Sequence, residues 1–544
     1  MHIQNTSVSI KENGGWNIYT QNEVRLYVKG YVCNKSFNEL FHDLMYLKKN
    51  ELRDYLNLLD GCFALVVERA DLVIAIVDPV CSIPLFYVSY GNRWIIDSHA
   101  PSLIKSTRIT QLNYDAVLAL KMSGYTINKD TIYNELKTLT SGECIVFEGN
   151  KTPKILQYFQ YQPWNIINNT KDFYRKELAI VTLNILRKVI KSLNDRQVVI
   201  PLSAGNDSRL IASGLKHLGY ENVKCYSYGI KGNFESKIAE KIAGELGYDY
   251  KFIPFTMNME KRFYKSKEFQ EFLEFSDNCM AVPAIQSLST IKYLKKSGWI
   301  DNDAIFINGN SGDFISGAHV SVLINTNYED KSKKEREESI YEEIIRKHYS
   351  LWGDLKTELN LNNIKQQLIN ETPIKVTTSD KDHGIYEYSE LINRQSKHVI
   401  NNQRVYEFYG YEWRLPLWDI EYLRFWEKIP AQFKKNQTLY EEMLVNENWG
   451  GVWVDNMPIN KKNLRPLWVI PVRFIFKLFF SLFGKKGKTV WHQFDTNIFY
   501  YWTDVTFKMK SIPYIEVVLS FNKRPRKVET PWLSQKYLSK HFSR

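Results

Sequence analysis

The sequence predicts two folds in tandem: an α+β amino-terminal domain built on an antiparallel sheet, then an α/β domain with a parallel sheet and a helical carboxyl-terminal part. Three observations carry this reading. Residues 1–160 alternate short β-rich runs with turn signals, the pattern of antiparallel strands. Beyond residue 170, helical periodicity alternates with short apolar runs, which implies parallel strands joined by crossover helices. The length of 544 residues, 44% of them hydrophobic, exceeds what one core usually serves.

The first domain's strands are read at Val24–Val32, Gly61–Val67, Leu72–Val77, Leu85–Val88, Trp94–Asp97 and Glu143–Phe147, all rich in β-branched or aromatic residues. Lys151–Thr170 turns Pro-, Asn- and Gln-rich and reads as a connection, with the boundary at residue 165. Apolar positions recur at helical spacing over Phe173–Leu193. Strand Val198–Leu202, helix Ser208–Leu218, strand Val223–Tyr228, helix Glu235–Leu246 and strand Tyr250–Pro254 follow, and a further strand is read at Ala304–Ile307. The mixed-charge stretch Lys331–Glu343 reads as a solvated helix, and helices dominate to about residue 450. This gives three regions: 1–165, 166–460 and an extension 461–544.

The net charge of +12 is concentrated in the extension, where 17 Lys and Arg face 4 Asp and Glu; the first 460 residues are close to neutral. Nucleic acid, an anionic membrane surface and a phosphate-bearing substrate all suit such a charge. No nucleic-acid-binding module is recognisable, so nucleic acid is not favoured. The apolar run Leu467–Phe483, followed by Lys485, Lys486 and Lys488, is too short and too interrupted by Pro471, Arg473 and Lys477 to span a bilayer. It reads as a core helix with snorkelling charges, and peripheral membrane contact is the alternative. The six cysteines are scattered without metal-site spacing and read as reduced thiols. The amino terminus carries no signal-peptide pattern, which points to the cytoplasm.

Two loops could carry chemistry. After the first strand of the second domain comes Leu202-Ser203-Ala204-Gly205-Asn206-Asp207-Ser208. Its small residues let backbone N–H groups approach a pyrophosphate, the serines add donors, and the following helix turns its positive end to the anion. Asp207 could then hold Mg²⁺. A capped strand-to-helix turn would need the same residues. The second loop, Gly309-Asn310-Ser311-Gly312-Asp313, also follows an apolar strand and also closes on an aspartate, so Asp207 and Asp313 together suit a magnesium–pyrophosphate site.

The first loop resembles the pyrophosphatase-loop signature Ser-Gly-Gly-x-Asp-Ser of the asparagine synthetase family, with Ala204 at the second position. Gly309–Asp313 is similar to the family's Gly-Glu-Gly-Ala-Asp segment, with Asn310 in place of the glutamate. Glu412-Trp413-Arg414-Leu415-Pro416-Leu417-Trp418-Asp419 resembles its Glu-x-Arg-x-Pro-Phe-x-Asp segment, and Gly232–Ser236 its acidic segment, with Glu235 near nucleotide or magnesium water. Leu59–Ala64, Asp78–Tyr87, Asp97-Ser98 and Leu139–Glu143 are similar to the family's glutaminase domain. The resemblance implies a pyrophosphatase-loop, adenine-nucleotide α-hydrolase-like fold, with adenine near Tyr226, Ser227 and Tyr228.

The resemblance further implies an ATP-dependent, amide-forming carbon–nitrogen ligase. A carboxylate, aspartate by default, is adenylated on Mg²⁺ held by Asp207 and Asp313, and an amine then displaces AMP. The family's lysine, which stabilises charge on the acyl-adenylate, has no residue in register; Lys434, Lys435, Lys461 and Lys462 are near, and Lys435 is taken as the candidate. The family's glutaminase uses a cysteine directly after the initiator methionine. Here that residue is His2, and the first cysteine is Cys33. Region 1–165 therefore reads as a degenerate amidotransferase-like domain, with the amine coming from free ammonia, another protein or an amino substrate. Alternatives are amidation of a sugar acid in bacterial surface-polysaccharide synthesis, macrolactam formation, and a silent nucleotide-binding scaffold.

Overall fold

The computed structural model describes residues 6–320, 331–375, 378–459, 468–503 and 512–542. The amino-terminal part holds two sheets where the sequence reading expects one. Strands β1 (Thr6–Val8), β2 (Asn17–Gln21), β3 (Val24–Val32), β4 (Gly61–Glu68), β5 (Val73–Val77), β6 (Phe86–Tyr90), β7 (Arg93–Asp97), β8 (Lys137–Thr138), β9 (Glu143–Phe147) and β10 (Lys154–Gln157) form them. Six strands run in the order β10-β9-β5-β4-β3-β2 and four in the order β1-β7-β6-β8. The strands missing from the sequence reading are short or half-exposed and leave little apolar alternation to read; β10 lies inside the stretch taken as a connection and pairs with β9 through Lys154↔Val146 to Gln157↔Glu143.

The long helix Lys171–Leu193, capped by Thr170, leads into β11 (Val198–Pro201). Then follow helix Asn206–His217, β12 (Val223–Gly229), helix Phe234–Glu245 and β13 (Asp249–Pro254). Strands β14 (Ile305–Ile307) and β15 (Glu412–Arg414) complete a parallel sheet in the order β13-β12-β11-β14-β15. The chain builds outward from β11 on one side, then crosses to β14 on the other. The connections after β11 and β14 thus run to opposite sides of the sheet, and this is the topological switch point, where open α/β sheets bind ligands.

Helix Lys333–His348 is solvated on one face only. Ser332 and Glu335 form its capping box, while Ile340, Tyr341 and Ile344 are buried. Helix His383–Glu390 continues without a break as a π-helix over Leu391–Val399.

The apolar run read as a core helix is the principal correction. Helix Val469–Ser481 and helix Gly484–Phe494 form a hairpin whose outer face is uncovered among the described residues: Ile470, Phe474, Ile475, Leu478 and Phe479 are exposed, and Leu482 at the tip is 81% exposed. An apolar sequence signals burial only when a partner surface exists. No helix among the described residues is long and apolar enough to cross a membrane.

The carboxyl-terminal helix Thr530–Phe542 returns to the amino-terminal part. His541 sits fully buried against Asp277, 3.3 Å away, and its other ring nitrogen meets the Tyr133 hydroxyl at 3.1 Å; Tyr537 donates to Asp277 at 2.6 Å. Asp277, Cys279 and His541 thus gather ligand-type side chains that the sequence keeps far apart.

Candidate functional site

Leu202 continues β11 by donating its N–H to Tyr226 of β12 at 2.9 Å. The backbone then turns through Ser203-Ala204-Gly205, and the helix begins at Asn206, two residues earlier than the sequence reading places it. Gly205 occupies the N-cap position and has no side chain with which to cap the first-turn N–H groups. The Ser208 hydroxyl folds back instead, accepting the Ser203 N–H at 3.0 Å and meeting the Ser203 hydroxyl at 3.1 Å. Arg209 braces the loop from behind: it donates to the Ala204 carbonyl at 2.7 Å and lies over the Trp453 ring.

The second loop packs directly on this helix start. A Cβ on Gly309 would sit 2.5 Å from the Asp207 carbonyl carbon and 2.6 Å from the Ser208 nitrogen; one on Gly312 would sit 2.4 Å from the Asp207 carboxylate. Both glycines are needed for this close approach. Asp207 then accepts the Asp313 N–H on one oxygen and the Tyr440 hydroxyl on the other, each at 3.1 Å. Asp207 and Asp313 are thereby brought together. Asn310 donates its N–H to the Asn308 side chain, which in turn bonds Gln403.

Asp313 keeps 57% of its side chain exposed and lies 3.6 Å from His319. Desolvation pushes its carboxyl up, but His319, the charge of Arg394 and the Phe314 N–H outweigh it and hold it below the usual range, an effect screened by the exposure. Behind it lies a buried network absent from the sequence reading. Glu390 binds His319 at 2.6 Å, His348 at 3.1 Å, Arg394 at 3.1 Å and Gln395 at 2.9 Å, and Gln395 accepts the Ser311 hydroxyl at 2.7 Å. Burial would raise Glu390, yet the surrounding imidazoles hold it well below the usual carboxylate range. Burial would likewise lower His319, but Asp313 and Glu390 raise it. The signal in the sequence is the stripe His383, Glu387, Glu390, Arg394, Lys397, spaced 4, 3, 4, 3 along one helical face.

Tyr228 stands one residue before the end of β12 and packs on Tyr226 and Phe255. Glu235 stands in the first turn of a helix already capped by Asn233, where the dipole favours it. Lys435 is half-buried in a tight turn and makes no ion pair among the described residues. Its neighbour Lys434 is the structured cation: fully buried, it pairs with Glu387 at 2.8 and 3.0 Å, and Glu387 also takes the Tyr161 hydroxyl. Lys461 and Lys462 lie outside the described residues.

Arg414 stacks on Tyr31 and bonds Ser192, whereas Asp419 binds Lys188 and caps the next helix. In the amino-terminal part, buried Asp78 accepts the N–H groups of Phe63, Val80 and Ser82, which makes it a loop organiser. His2 lies outside the described residues. Burial, then the carboxylates of Asp60 and Asp419, push the Cys33 thiol up to about 12, the opposite of an activated nucleophile. A cleft of about 920 Å³, lined by Lys29, Tyr31, Cys33, Arg196, Trp413 and Arg414, opens between β3 and β15. It reaches the sheet near the start of β11, at the end opposite the two loops.

Residues 186–444 match the model of the asparagine synthase family. Two solved structures show weaker likeness. One is described as the allosteric regulatory enzyme of purine biosynthesis, 12% identical over 54% of this chain and 56% of that one, with a TM-score of 0.19. The other is glutamine phosphoribosylpyrophosphate amidotransferase from B. subtilis complexed with ADP and GMP, 11% identical over 54% of this chain and 64% of that one, also at 0.19. The chain spans less than two thirds of either structure's length, and scores this low establish no shared global fold. No curated protein matches the sequence.

Proposed function

We propose, from the match of residues 186–444 to the asparagine synthase family model, that the chain is an ATP-dependent ligase that adenylates a carboxylate and passes the acyl group to an amine. The observation that carries this reading is the junction of the two loops at the switch point, where the Asp313 N–H bonds the Asp207 carboxylate beside a helix start whose N-cap is Gly205. First-turn N–H groups and the Ser203 and Ser208 hydroxyls would hold the pyrophosphate, with adenine along the end of β12 near Tyr228. Attack by the carboxylate on the α-phosphorus forms the acyl-adenylate and releases pyrophosphate; attack by the amine on the acyl carbon forms the amide and releases AMP.

Asp207 and Asp313 are hard oxygen donors of the type Mg²⁺ takes, and both fit it; bound there, the ion would screen charge on the pyrophosphate. The network behind Asp313 fixes that carboxylate and keeps it ionised. The amine is free ammonia, ammonia from another protein or a substrate amino group. Aspartate is the default carboxylate, with a sugar acid or an intramolecular acceptor as narrower variants.

Carboxylate-dependent exchange of pyrophosphate into ATP tests this, run across amino acids and uronic acids. Exchange with one acid, abolished by Asp207→Ala, is expected. Absence of exchange with every acid would leave a nucleotide-binding scaffold as the better reading.

A further inference from the structure

We propose that the hairpin 468–494 is a monotopic membrane foot, which seats the protein on an anionic lipid surface. The inference is independent of the adenylation chemistry. It rests on the two unlike faces of helix Val469–Ser481. One face is built: Phe476 and Phe480 pack on Phe494 at ring separations of 5.2 and 5.3 Å, and Arg473 forms a bidentate pair with Asp495 at 2.5 and 2.8 Å. Gly487 lets the second helix approach, since a Cβ there would fall 1.9 Å from the Phe480 carbonyl oxygen. Asp495 is held in turn by Lys527 at 2.8 Å, so the base of the hairpin is tied to the body.

Among the described residues, none covers the other face. Ile470, Phe474, Ile475, Leu478, Phe479 and Leu482 follow a helical repeat and stand exposed, and Phe483 at the turn is 58% exposed. A helix anchored on one side by Arg473 and two phenylalanines, with a largely aromatic and aliphatic face turned to solvent, is suited to an apolar phase. Its 13 residues span about 20 Å, short of the roughly 30 Å hydrocarbon core, so it enters one leaflet and does not cross.

Charge selects the occupant. Between Asp455 and Asp495 the sequence has no carboxylate side chain, yet it carries eight Lys and Arg. Lys485, Lys486 and Lys488 follow the apolar tip directly and are exposed. Apolar residues bordered by lysines match an anionic bilayer, with acyl chains beneath phosphate headgroups. A second copy of the chain would bring the same lysines together and meet repulsion.

Co-sedimentation of the full chain with vesicles is the test. Binding to 70:30 phosphatidylcholine:phosphatidylglycerol vesicles is expected to exceed binding to pure phosphatidylcholine by about tenfold or more, and to weaken with salt. Leu482→Asp with Phe483→Asp should abolish it, and Lys485→Glu with Lys486→Glu should cut it by about tenfold or more. Both pairs are solvent-facing, so circular dichroism and the melting temperature should not change. Wild type left in the supernatant with anionic vesicles would overturn the proposal. So would binding unaffected by the tip substitutions, or a concentration-dependent dimer that these substitutions dissolve.

Discussion

Gly309 leaves no room for a methyl group, because the backbone of Asp207 and Ser208 occupies that space. Gly309→Ala must push the second loop off the first helix, breaking the bond from the Asp313 N–H to Asp207. Overpacking of this kind costs about 1–3 kcal/mol. The expected outcome is a lower urea midpoint together with lost pyrophosphate exchange. Gly219→Ala serves as a control of another kind: it meets no atom within 4 Å and is strained only by its φ of +80°, so exchange should survive it. Lys434 offers a second test. It is 0% exposed and its partner Glu387 1% exposed, so Lys434→Met leaves a buried carboxylate unpaired. Denaturant unfolding should show a loss of about 3–5 kcal/mol, largely recovered in Lys434→Met with Glu387→Leu.

Among the elements, the helix that runs from His383 into the π-turns at Leu391–Val399 sets the electrostatics behind Asp313. The sign of its pH dependence follows from its two principal groups. His319 titrates above its ordinary 6.5 in the fold, so its contribution is complete below that value and is lost as pH rises through the raised one. Glu390 titrates well below 4.5, so its contribution is complete above that value and is lost as pH falls through the depressed one. Melting temperature should therefore decline on both sides of a plateau, and Glu390→Gln should lower the plateau and flatten both limbs. This helix also marks where the sequence stopped being legible. Strands β11 and β14, with the loops after them, could be read because β-branched runs and small residues have few other uses. The stripe His383–Lys397 could not, because charges at helical spacing normally mark a solvated face, and only tertiary packing turned it inward. The apolar run at 468–483 failed in the reverse sense: its composition signals burial, and among the described residues one face has no partner.

At the scale of the molecule, the amino-terminal sheets and the parallel sheet are joined by polar contacts of high cost if broken. Lys188, on the long helix, bridges Asp60 of the first part and Asp419 of the second at 2.5 and 2.9 Å. Ser141 meets Ser396 at 2.9 Å, and Tyr31 accepts the Leu415 N–H at 3.0 Å. Lys188→Met would leave two carboxylates facing one another without a cation. It should separate the melting of the two parts in calorimetry, giving two transitions in place of one.

The buried contact between Tyr133 and His541 joins residues 408 positions apart. During synthesis at about 5–20 residues per second, the ribosome delivers the second partner roughly 20–80 seconds after the first. For that interval the groove beside helix Tyr114–Ser123 lacks the helix Thr530–Phe542 that packs on it, and its apolar lining is uncovered. The nascent chain must be shielded there until residues 530–542 have been made.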